Sequence, residues 1–195
     1  MGVAYITFLP LVERIPGTAS DVSPDSVTAE GFGNFLSKVF DEWVKKDIGT
    51  IKIQVIEEAL RPVFGQAHTL CIFRENCGGV PVVEHNGDFY SCDHYVDKEH
   101  LIGNITTSDL ASMLDSSRQK AFGMAKSLTL PAFCRKCEVK DMCNGECPKN
   151  RFLYSPDGEY GLNYLCRGYR LFFNHVRPFA EAVASVWRSQ EGKSL

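Results

Sequence analysis

The 195-residue sequence contains no apolar run approaching the roughly 20 residues that a membrane-spanning helix needs. Its formal net charge is −3, so no basic excess favours nucleic acid as a partner. Residues 1–10 lack the basic region and the small-residue cleavage site of a signal peptide. Because 44% of the residues are hydrophobic, the chain can bury a sizeable core. We therefore expect a cytoplasmic globular protein whose partners are neither nucleic acid nor membrane.

Cysteine, in contrast, is abundant, and all eight cysteines lie between residues 71 and 166. The densest part has the spacing C-x2-C-x5-C-x3-C and ends in proline: Cys134, Cys137, Cys143, Cys147 and Pro148. Eight thiolates are enough for two four-ligand sites, and a C-x2-C turn can present two sulfurs to one metal centre. In a reducing compartment this pattern favours metal binding over disulfides.

Two kinds of metal site fit these spacings. Zinc takes four tetrahedral ligands, and the single C-x2-C element suits it, although zinc ribbons usually pair two such elements. Iron–sulfur clusters also take four thiolates. In bacterial ferredoxins the last cysteine of a compact run precedes proline and binds the other cluster, and Cys147-Pro148 repeats that feature. On spacing alone, zinc and clusters stay equally open, and with eight cysteines present, His85, His94 and His100 are not needed as ligands.

Hydrophobic periodicity outlines the N-terminal elements. An apolar run at residues 3–12 predicts a buried strand, which needs neighbouring strands on both sides. Thr28 is placed to cap an amphipathic helix. Residues 50–55 alternate as a strand, and a short helix at residues 57–64 is expected to break at Pro62.

The clearest local structure lies between Cys77 and Cys92. Asn86-Gly87 in its middle suits a type I′ turn, in which both central residues have positive φ, and apolar residues flank it on both sides. We therefore predict a β-hairpin that brings Cys77 and Cys92 close together.

Helices are predicted on both sides of the cysteine-rich block. Ser108 can cap one helix, and residues 122–130 predict another. The block at residues 134–147 is predicted to form loops and turns. After Cys166 we expect a long amphipathic helix that is kinked or interrupted at Pro178.

The order of the cysteines resembles the signature of a SPASM domain, the C-terminal two-cluster domain of certain radical SAM enzymes that modify peptides. The resemblance consists of Cys77-x9-Gly87-x4-Cys92, the compact block described above, and Cys166. Cys71 just before this signature and Asp93 directly after Cys92 resemble anaerobic sulfatase-maturating enzymes more narrowly.

Three further segments are similar to the same family. One is the continuation of the block as CNGECPKNR at residues 143–151. The others are ITFLP at residues 6–10 and VTAEGFGNFLSKVFDEWVKK at residues 27–46, which resemble the last strand and helix of the family's radical SAM barrel. The resemblance thus covers nearly the whole chain.

The resemblance implies an α+β fold in three parts. Residues 1–66 would be the C-terminal remnant of a radical SAM barrel, residues 67–168 a SPASM domain with a β-hairpin and cysteine-rich cluster loops, and residues 169–195 a C-terminal amphipathic helix. The C-x3-C-x2-C motif that holds the SAM cluster in this family is absent from the sequence. We therefore expect the chain to correspond to the C-terminal half of such an enzyme and to be inactive alone.

For cofactors, the resemblance implies two [4Fe–4S] clusters. The first would be held by Cys71, Cys77, Cys92 and Cys147. The second would be held by Cys134, Cys137, Cys143 and Cys166. S-adenosylmethionine and a third [4Fe–4S] cluster would belong to the N-terminal half of the enzyme.

The family oxidises a cysteine or serine of a sulfatase peptide to formylglycine. A 5′-deoxyadenosyl radical removes a hydrogen, an aspartate accepts the side-chain proton, and an electron leaves toward an auxiliary cluster. Asp93 matches that aspartate, and the alternative is that it only caps the turn after the hairpin. The implied partners are an unfolded sulfatase peptide and an electron donor such as flavodoxin or ferredoxin.

Two other functions remain open at this point. One is the SPASM part of another peptide-modifying radical SAM enzyme. The other is a zinc-stabilised binding module without a redox role. Metal content separates the last from the others, because an iron–sulfur protein is brown and a zinc protein is colourless.

Overall fold

A computed structural model describes residues 2–18 and 20–191, and these form a mixed α+β fold. The strands of the described chain are β1 (Tyr5–Ile6), β2 (Lys52–Ile53), β3 (Val82–Val83), β4 (Asp88–Tyr90), β5 (Leu101–Asn104), β6 (Leu153–Tyr154) and β7 (Tyr160–Leu162). The helices are α1 (Ala29–Lys46), α2 (Gln54–Leu60), α3 (Leu110–Leu114), α4 (Ser117–Leu128), α5 (Ala132–Arg135), α6 (Lys140–Cys143) and α7 (Cys166–Glu191). Two 3-10 turns cover Arg61–Phe64 and Pro148–Asn150.

The buried strand predicted at residues 3–12 is wrong in both length and burial. Only Tyr5–Ile6 forms a strand, which pairs in parallel with β2, and Leu9 is 86% exposed. A buried parallel strand needs partners on both sides, and β1 has one partner among the described strands. The strand predicted at residues 50–55 is shortened to β2 because α2 begins directly after it. The break predicted at Pro62 is present, since α2 gives way there to a 3-10 turn.

The hydrophobic core lies mainly between α1, α2 and α7. The hydroxyl of Thr28 accepts a hydrogen bond from Gly31 N at 3.2 Å, which confirms the predicted cap of α1. Aromatic and aliphatic side chains of α1 and α7 then interlock, and the buried ones are Phe32, Leu36, Phe40, Trp43, Tyr169, Phe172, Phe173 and Val176. Phe73 and Met142 join the same cluster. The core therefore connects all three predicted parts of the chain, whose boundaries at residues 66 and 168 stay a prediction.

Two glycines let α1 and α7 approach until their backbones touch. A Cβ atom on Gly168 would lie 2.0 Å from Ala29 O, and one on Gly33 would lie 2.5 Å from Gly168 O. Only hydrogen fits at either position, so the crossing point of the two helices is fixed. Because α7 begins at Cys166, the crossing also fixes the position of that cysteine.

The long C-terminal helix is present and runs as one helix through Pro178 rather than starting a new segment there. Its first half is buried, but farther along the helix Val183 and Trp187 are 41% and 44% exposed. The end predicted at residues 192–195 lies outside the described residues. Within the described part of the chain, no helix combines the length and hydrophobicity that a membrane span requires.

The hairpin predicted around Asn86-Gly87 is present as β3 and β4, but its turn is not type I′. Gly87 N donates to Glu84 O at 2.8 Å, and Glu84 N donates to Asp88 O at 2.9 Å. Gly87 has φ +87°, whereas Asn86 does not have positive φ. The pattern is typical of a three-residue loop with a left-handed glycine at its end. A third strand, β5, pairs with β4 and was not predicted from the sequence.

The two helices before the cysteine-rich block differ from their predictions at their N-termini. Asp109, not Ser108, caps α3, because its carboxylate accepts from Ser112 N at 2.9 Å. The helix predicted at residues 122–130 is present but begins earlier, after the cap residue Ser116. The earlier start matters because it places Gln119 on the helix, next to the loops that carry Cys77 and Cys92.

Candidate metal centres

Four cysteines line one cavity: Cys134, Cys137, Cys143 and Cys166. We call these four cysteines the second set. Cys134 lies on α5, Cys143 ends α6 and Cys166 begins α7. The block predicted as loops and turns therefore contains two single-turn helices, each of which presents a cysteine. The ring of Tyr169 contributes to the lining from α7, so the cavity is part apolar.

The loop that carries Cys137 is tied to α7 by one carboxylate. Glu138 Oε1 accepts from Arg170 Nε at 2.7 Å and from Asn174 Nδ2 at 3.0 Å. These hydrogen bonds lower the pKa of Glu138 to about 2. The pair is exposed, so it positions the loop more than it stabilises the fold.

The first set comprises the other four cysteines: Cys71, Cys77, Cys92 and Cys147. Burial raises the pKa of the Cys147 thiol to about 12, and the charges of Glu146, Cys77 and Cys92 add to the shift. Burial likewise raises the pKa of Cys92 to about 12, with a smaller contribution from Cys71. Charges act on one another in this way only when they are close. Electrostatic influence therefore links Cys147 with Cys77 and Cys92, and both of these with Cys71.

Thiols of the second set also influence one another. Burial raises the pKa of Cys166 to about 12, followed by repulsion from Cys134 and Cys137. Burial raises the pKa of Cys143 as well, and Cys166 is the next cause. Thiols with such raised pKa values are protonated at neutral pH. A metal must therefore displace these protons to bind, which makes metal uptake release protons.

Helix α4 holds the two loops that carry Cys77 and Cys92. The buried side chain of Gln119 donates from Nε2 to Gly78 O at 3.0 Å and to Ser91 O at 3.1 Å. Gly123 O accepts from Cys77 N at 3.0 Å, and a Cβ on Gly123 would lie 2.7 Å from Cys77 O. One helix face thus sets the distance between two cysteines that are far apart in sequence.

A sharp turn separates the two sets at the end of the compact block. Asn144, Gly145 and Glu146 all have positive φ, at 46°, 72° and 52°. Positive φ is uncommon for residues other than glycine, and two such residues in one turn indicate a backbone held by its surroundings. Cys147 follows this turn and is not among the described residues that line the cavity of the second set. The assignment of ligands to clusters stays a prediction.

The four thiols that line the cavity of the second set match the ligand number of an iron–sulfur cluster. Among the described residues, no three side chains of Cys, His, Asp or Glu converge closely enough to hold one metal ion. A four-iron cluster takes four cysteine thiolates at its corners and is wider than one ion. Four thiols spaced around a cavity fit that donor set.

Asp93 lies in the turn that follows the hairpin. Tyr95 N donates to Cys92 O at 3.0 Å, which closes the turn. The Asp93 carboxylate accepts from Cys92 Sγ at 3.2 Å and lies 3.8 Å from His94 Nδ1. Its side chain is 54% exposed. An exposed carboxylate therefore stands directly beside a cysteine of the first set.

Sequence reasoning missed three buried charged residues near the cysteines: Lys126, Glu146 and Arg151. Arg151 and Glu146 stand in the CNGECPKNR segment, and their closeness to the cysteines could have marked them. No comparable signal marks Lys126, because it lies on α4, outside the CNGECPKNR segment.

Comparison with known proteins gives this arrangement a family context. A family model described as an iron–sulfur cluster-binding SPASM domain matches residues 71–138. The chain carries a SPASM domain. The match confirms the predicted resemblance. The similarity of the chain to known proteins extends beyond residues 71–138 and covers the C-terminal half of anaerobic sulfatase-maturating enzymes.

Curated relatives of the SPASM chain include both types of these enzymes. A serine-type anaerobic sulfatase-maturating enzyme of Bacteroides thetaiotaomicron is 42% identical over 200 residues, covering 96% of this chain and 48% of that protein. A serine-type enzyme of Klebsiella pneumoniae is 31% identical, and the match covers 97% of this chain and 47% of that protein. A cysteine-type enzyme of Clostridium novyi is 27% identical, and the match covers 87% of this chain and 45% of that protein. The chain spans about half the length of the curated relatives it matches.

Solved structures give the same picture of the fold. Native anSMEcpe with bound AdoMet and the Cp18Cys peptide superimposes with a TM-score of 0.73 at 26% identity, over 90% of this chain and 47% of that one. The complex with the Kp18Cys peptide gives a TM-score of 0.72. The mixed α+β SPASM fold is thus confirmed.

Proposed function

We propose that this chain is the auxiliary-cluster and substrate-facing half of a radical SAM enzyme that oxidises a cysteine or serine of a sulfatase peptide to formylglycine. The observation that carries the proposal is the Asp93 carboxylate 3.2 Å from Cys92 Sγ, in a chain with two separate sets of cysteines. Relatives with that activity match nearly the whole chain, which supports the proposal.

The two sets of cysteines would hold two [4Fe–4S] clusters, the first set one cluster and the second set the other. When bound, such a cluster supplies a one-electron acceptor inside the protein. The segment with β1, α1 and β2 would be the end of a radical SAM barrel. S-adenosylmethionine and a third cluster would belong to the other half of that enzyme, and flavodoxin or ferredoxin would exchange electrons with it.

The residues of this chain supply position and proton transfer. Asp93 is exposed, so the side chain of a peptide substrate can reach its carboxylate. A carboxylate there can accept the thiol or hydroxyl proton of the substrate while an electron leaves through the adjacent cysteine set. The turn closed by Tyr95 N and Cys92 O holds the carboxylate in place.

Asp93→Asn tests this role, because asparagine keeps the shape but cannot accept the proton. In a protein that contains this chain together with a radical SAM half, formylglycine formation should fall by about 10²–10⁴. Formation of 5′-deoxyadenosine and the iron content should change little. Asp115→Asn, at another exposed carboxylate, serves as the control and should keep full activity.

Two results would contradict the proposal. Formation of formylglycine at the normal rate by Asp93→Asn would leave Asp93 as a turn residue. Loss of iron in that variant would make its role structural instead of catalytic.

A further inference from the structure

Lys126 is a buried cation at the first set. Its side chain is 1% exposed, and Nζ donates to Cys71 O at 2.8 Å, to Ile72 O at 2.7 Å and to Arg74 O. These acceptors are backbone carbonyls of the turn that begins with Cys71. Among the described residues, none of the hydrogen bonds of Nζ goes to a carboxylate.

Arg151 is a second buried cation and lies between the two sets. Its Nε donates to Gly145 O at 2.8 Å, and Nη2 donates to Asn144 O at 2.8 Å and Glu146 O at 3.1 Å. Those carbonyls belong to the turn that separates the sets. Nη1 donates to Lys126 O at 2.6 Å, which links the two cations through one backbone group.

The hydrogen bonds satisfy the donors but leave positive charge without a counter-ion. Burying an unpaired charge is strongly unfavourable. Glu146 is the buried carboxylate in this region, and it accepts from Asn150 and Asn163. One carboxylate cannot balance two cations, so further negative charge is needed nearby.

The cysteine sets would be the nearest source of that charge once their thiols lose protons and bind clusters as thiolates. Burial lowers the pKa of Lys126, and the negative charges of Cys77 and Cys147, both of the first set, oppose that shift. Burial also lowers the pKa of Arg151, and Cys134 and Cys143 of the second set, followed by Cys77 of the first, oppose that shift. Lys126 therefore interacts with the first set, whereas Arg151 interacts with both sets.

We propose that Lys126 and Arg151 are the counter-charges of the two clusters and raise their reduction potentials, Lys126 at the first cluster and Arg151 at both. The inference rests on the proposed function, because it requires clusters in both sets. Reduction adds one negative charge, and a nearby fixed cation stabilises that charge. The first cluster, with two cations beside it, becomes the stronger electron acceptor. The first cluster also lies beside Asp93. The electron acceptor, the first cluster, and the proton acceptor, Asp93, are therefore neighbours.

The test is a redox titration of the iron-loaded chain, followed by electron paramagnetic resonance. Lys126→Gln keeps donor groups near the carbonyls but removes the charge. It should lower the equilibrium constant for reduction of one cluster at least tenfold, which is about 59 mV for a one-electron couple. The other cluster should change much less. Lys120→Gln neutralises an exposed lysine on the same helix and should shift neither, because solvent screens it.

The second cation gives a complementary test. Arg151→Gln should lower both potentials, whereas Arg151→Lys should keep them because the charge remains. Potentials that are unchanged in Lys126→Gln, or shifted equally at both clusters, would overturn the inference while leaving the clusters intact. A chain that binds no iron at all would contradict the proposed function as well.

Lys126→Gln could also fail to keep its iron, and Lys126→Arg then decides. If Lys126→Arg keeps iron and both potentials, the positive charge is what the site requires, as proposed. If Lys126→Arg loses iron too, the site needs the shape of lysine, and the counter-charge role is wrong.

Discussion

Glu58 is a single buried carboxylate that joins distant parts of the chain. From α2 it accepts hydrogen bonds from Thr69 N at 3.0 Å, Leu70 N at 3.2 Å and His68 Nδ1 at 2.9 Å. The other ring nitrogen of His68 lies 2.9 Å from Asp141 O on α6. The carboxylate thus connects the N-terminal part, the segment leading to Cys71, and the cavity of the second set.

The stability of this connection depends on pH. Burial raises the pKa of Glu58, but hydrogen bonds from His68, Thr69 and Leu70 outweigh it and hold the pKa below the ordinary value of 4.5. Such a carboxyl stabilises the fold above about pH 4.5, and the contribution is lost as the pH falls through the folded-state pKa. Glu58→Gln should therefore lower the free energy of unfolding at pH 7 by about 3–5 kcal/mol.

Urea denaturation of both proteins at pH 7 and in acid measures this effect. The difference between wild type and Glu58→Gln should shrink as the pH falls, because wild type loses the ionised carboxylate. Glu57→Gln, on the same helix, is the control and should change the stability by no more than about 0.5 kcal/mol. Equal losses in the two variants, or a difference that does not vary with pH, would contradict the role of Glu58.

Residues with local signals could be predicted, and residues with distant partners could not. The Thr28 cap acts within one helical turn, and the cysteines are marked by spacing. Lys126 bonds the carbonyl of Cys71, 55 positions away. Arg151 bonds carbonyls of a turn whose positive φ values are set by tertiary packing. No pattern in the sequence shows which backbone carbonyls a buried cation will meet.

At the scale of elements, the crossing of α1 and α7 positions the second set. Gly168 touches the backbone of α1 and stands two positions after Cys166 in the chain. The position of Cys166 relative to Cys143 therefore depends on how closely the two helices pack. Arg167 and Glu30 add an exposed ion pair at 3.2 Å across the same crossing.

Gly168→Ala tests this dependence. The new Cβ would lie 2.0 Å from Ala29 O, so the helices must separate. Overpacking of this kind should lower the free energy of unfolding by about 1–3 kcal/mol. It should also reduce the iron held by the second set, because Cys166 moves with α7. Chemical denaturation and iron analysis measure the two effects.

Ser185→Ala, at an exposed position of the same helix, is the control for Gly168→Ala. It should leave both stability and iron content unchanged. If Gly168→Ala keeps wild-type stability and iron, the close crossing does not position Cys166.

The elements also show where periodicity misleads. The apolar run at residues 3–12 matches a buried strand, but burial depends on neighbouring strands that the sequence of the run does not reveal. Asn86-Gly87 correctly located a hairpin, because glycine is required at the end of its loop. The turn type differed because the Asn86 side chain accepts from Asp88 N at 3.1 Å and stabilises a longer loop.

At the scale of the whole molecule, two regions are held together by different forces. The α1–α7 region has a core of interlocked aromatic rings, such as Tyr169 and Phe173 stacked with centroids 5.7 Å apart. The region between residues 68 and 166 consists mainly of short elements and turns around eight cysteines, and residues such as Phe73 and Met142 join it to that core. Its thiols contribute little to stability until a metal binds them.

Removal of the metal should therefore reduce hydrogen-exchange protection in the cysteine region more than in the α1–α7 region. We expect backbone amides at residues 68–166 to exchange hydrogen faster without iron, because metal–thiolate bonds are part of the folding energy there. Amides of the Phe172–Trp187 part of α7 should stay protected longer, because the first half of that helix packs in the aromatic core. Hydrogen exchange followed by mass spectrometry, with and without iron, gives the comparison. Equal protection in both states would mean that the cysteine region folds without metal.

The number of iron and sulfide ions per chain tests the central claim most directly. Two cubane sites, one in each set of cysteines, predict about eight iron and eight sulfide ions per chain after anaerobic reconstitution. A content of about four iron ions or fewer would mean that at most one set holds a cluster. A stoichiometric load of zinc in place of iron would contradict the account of both sets.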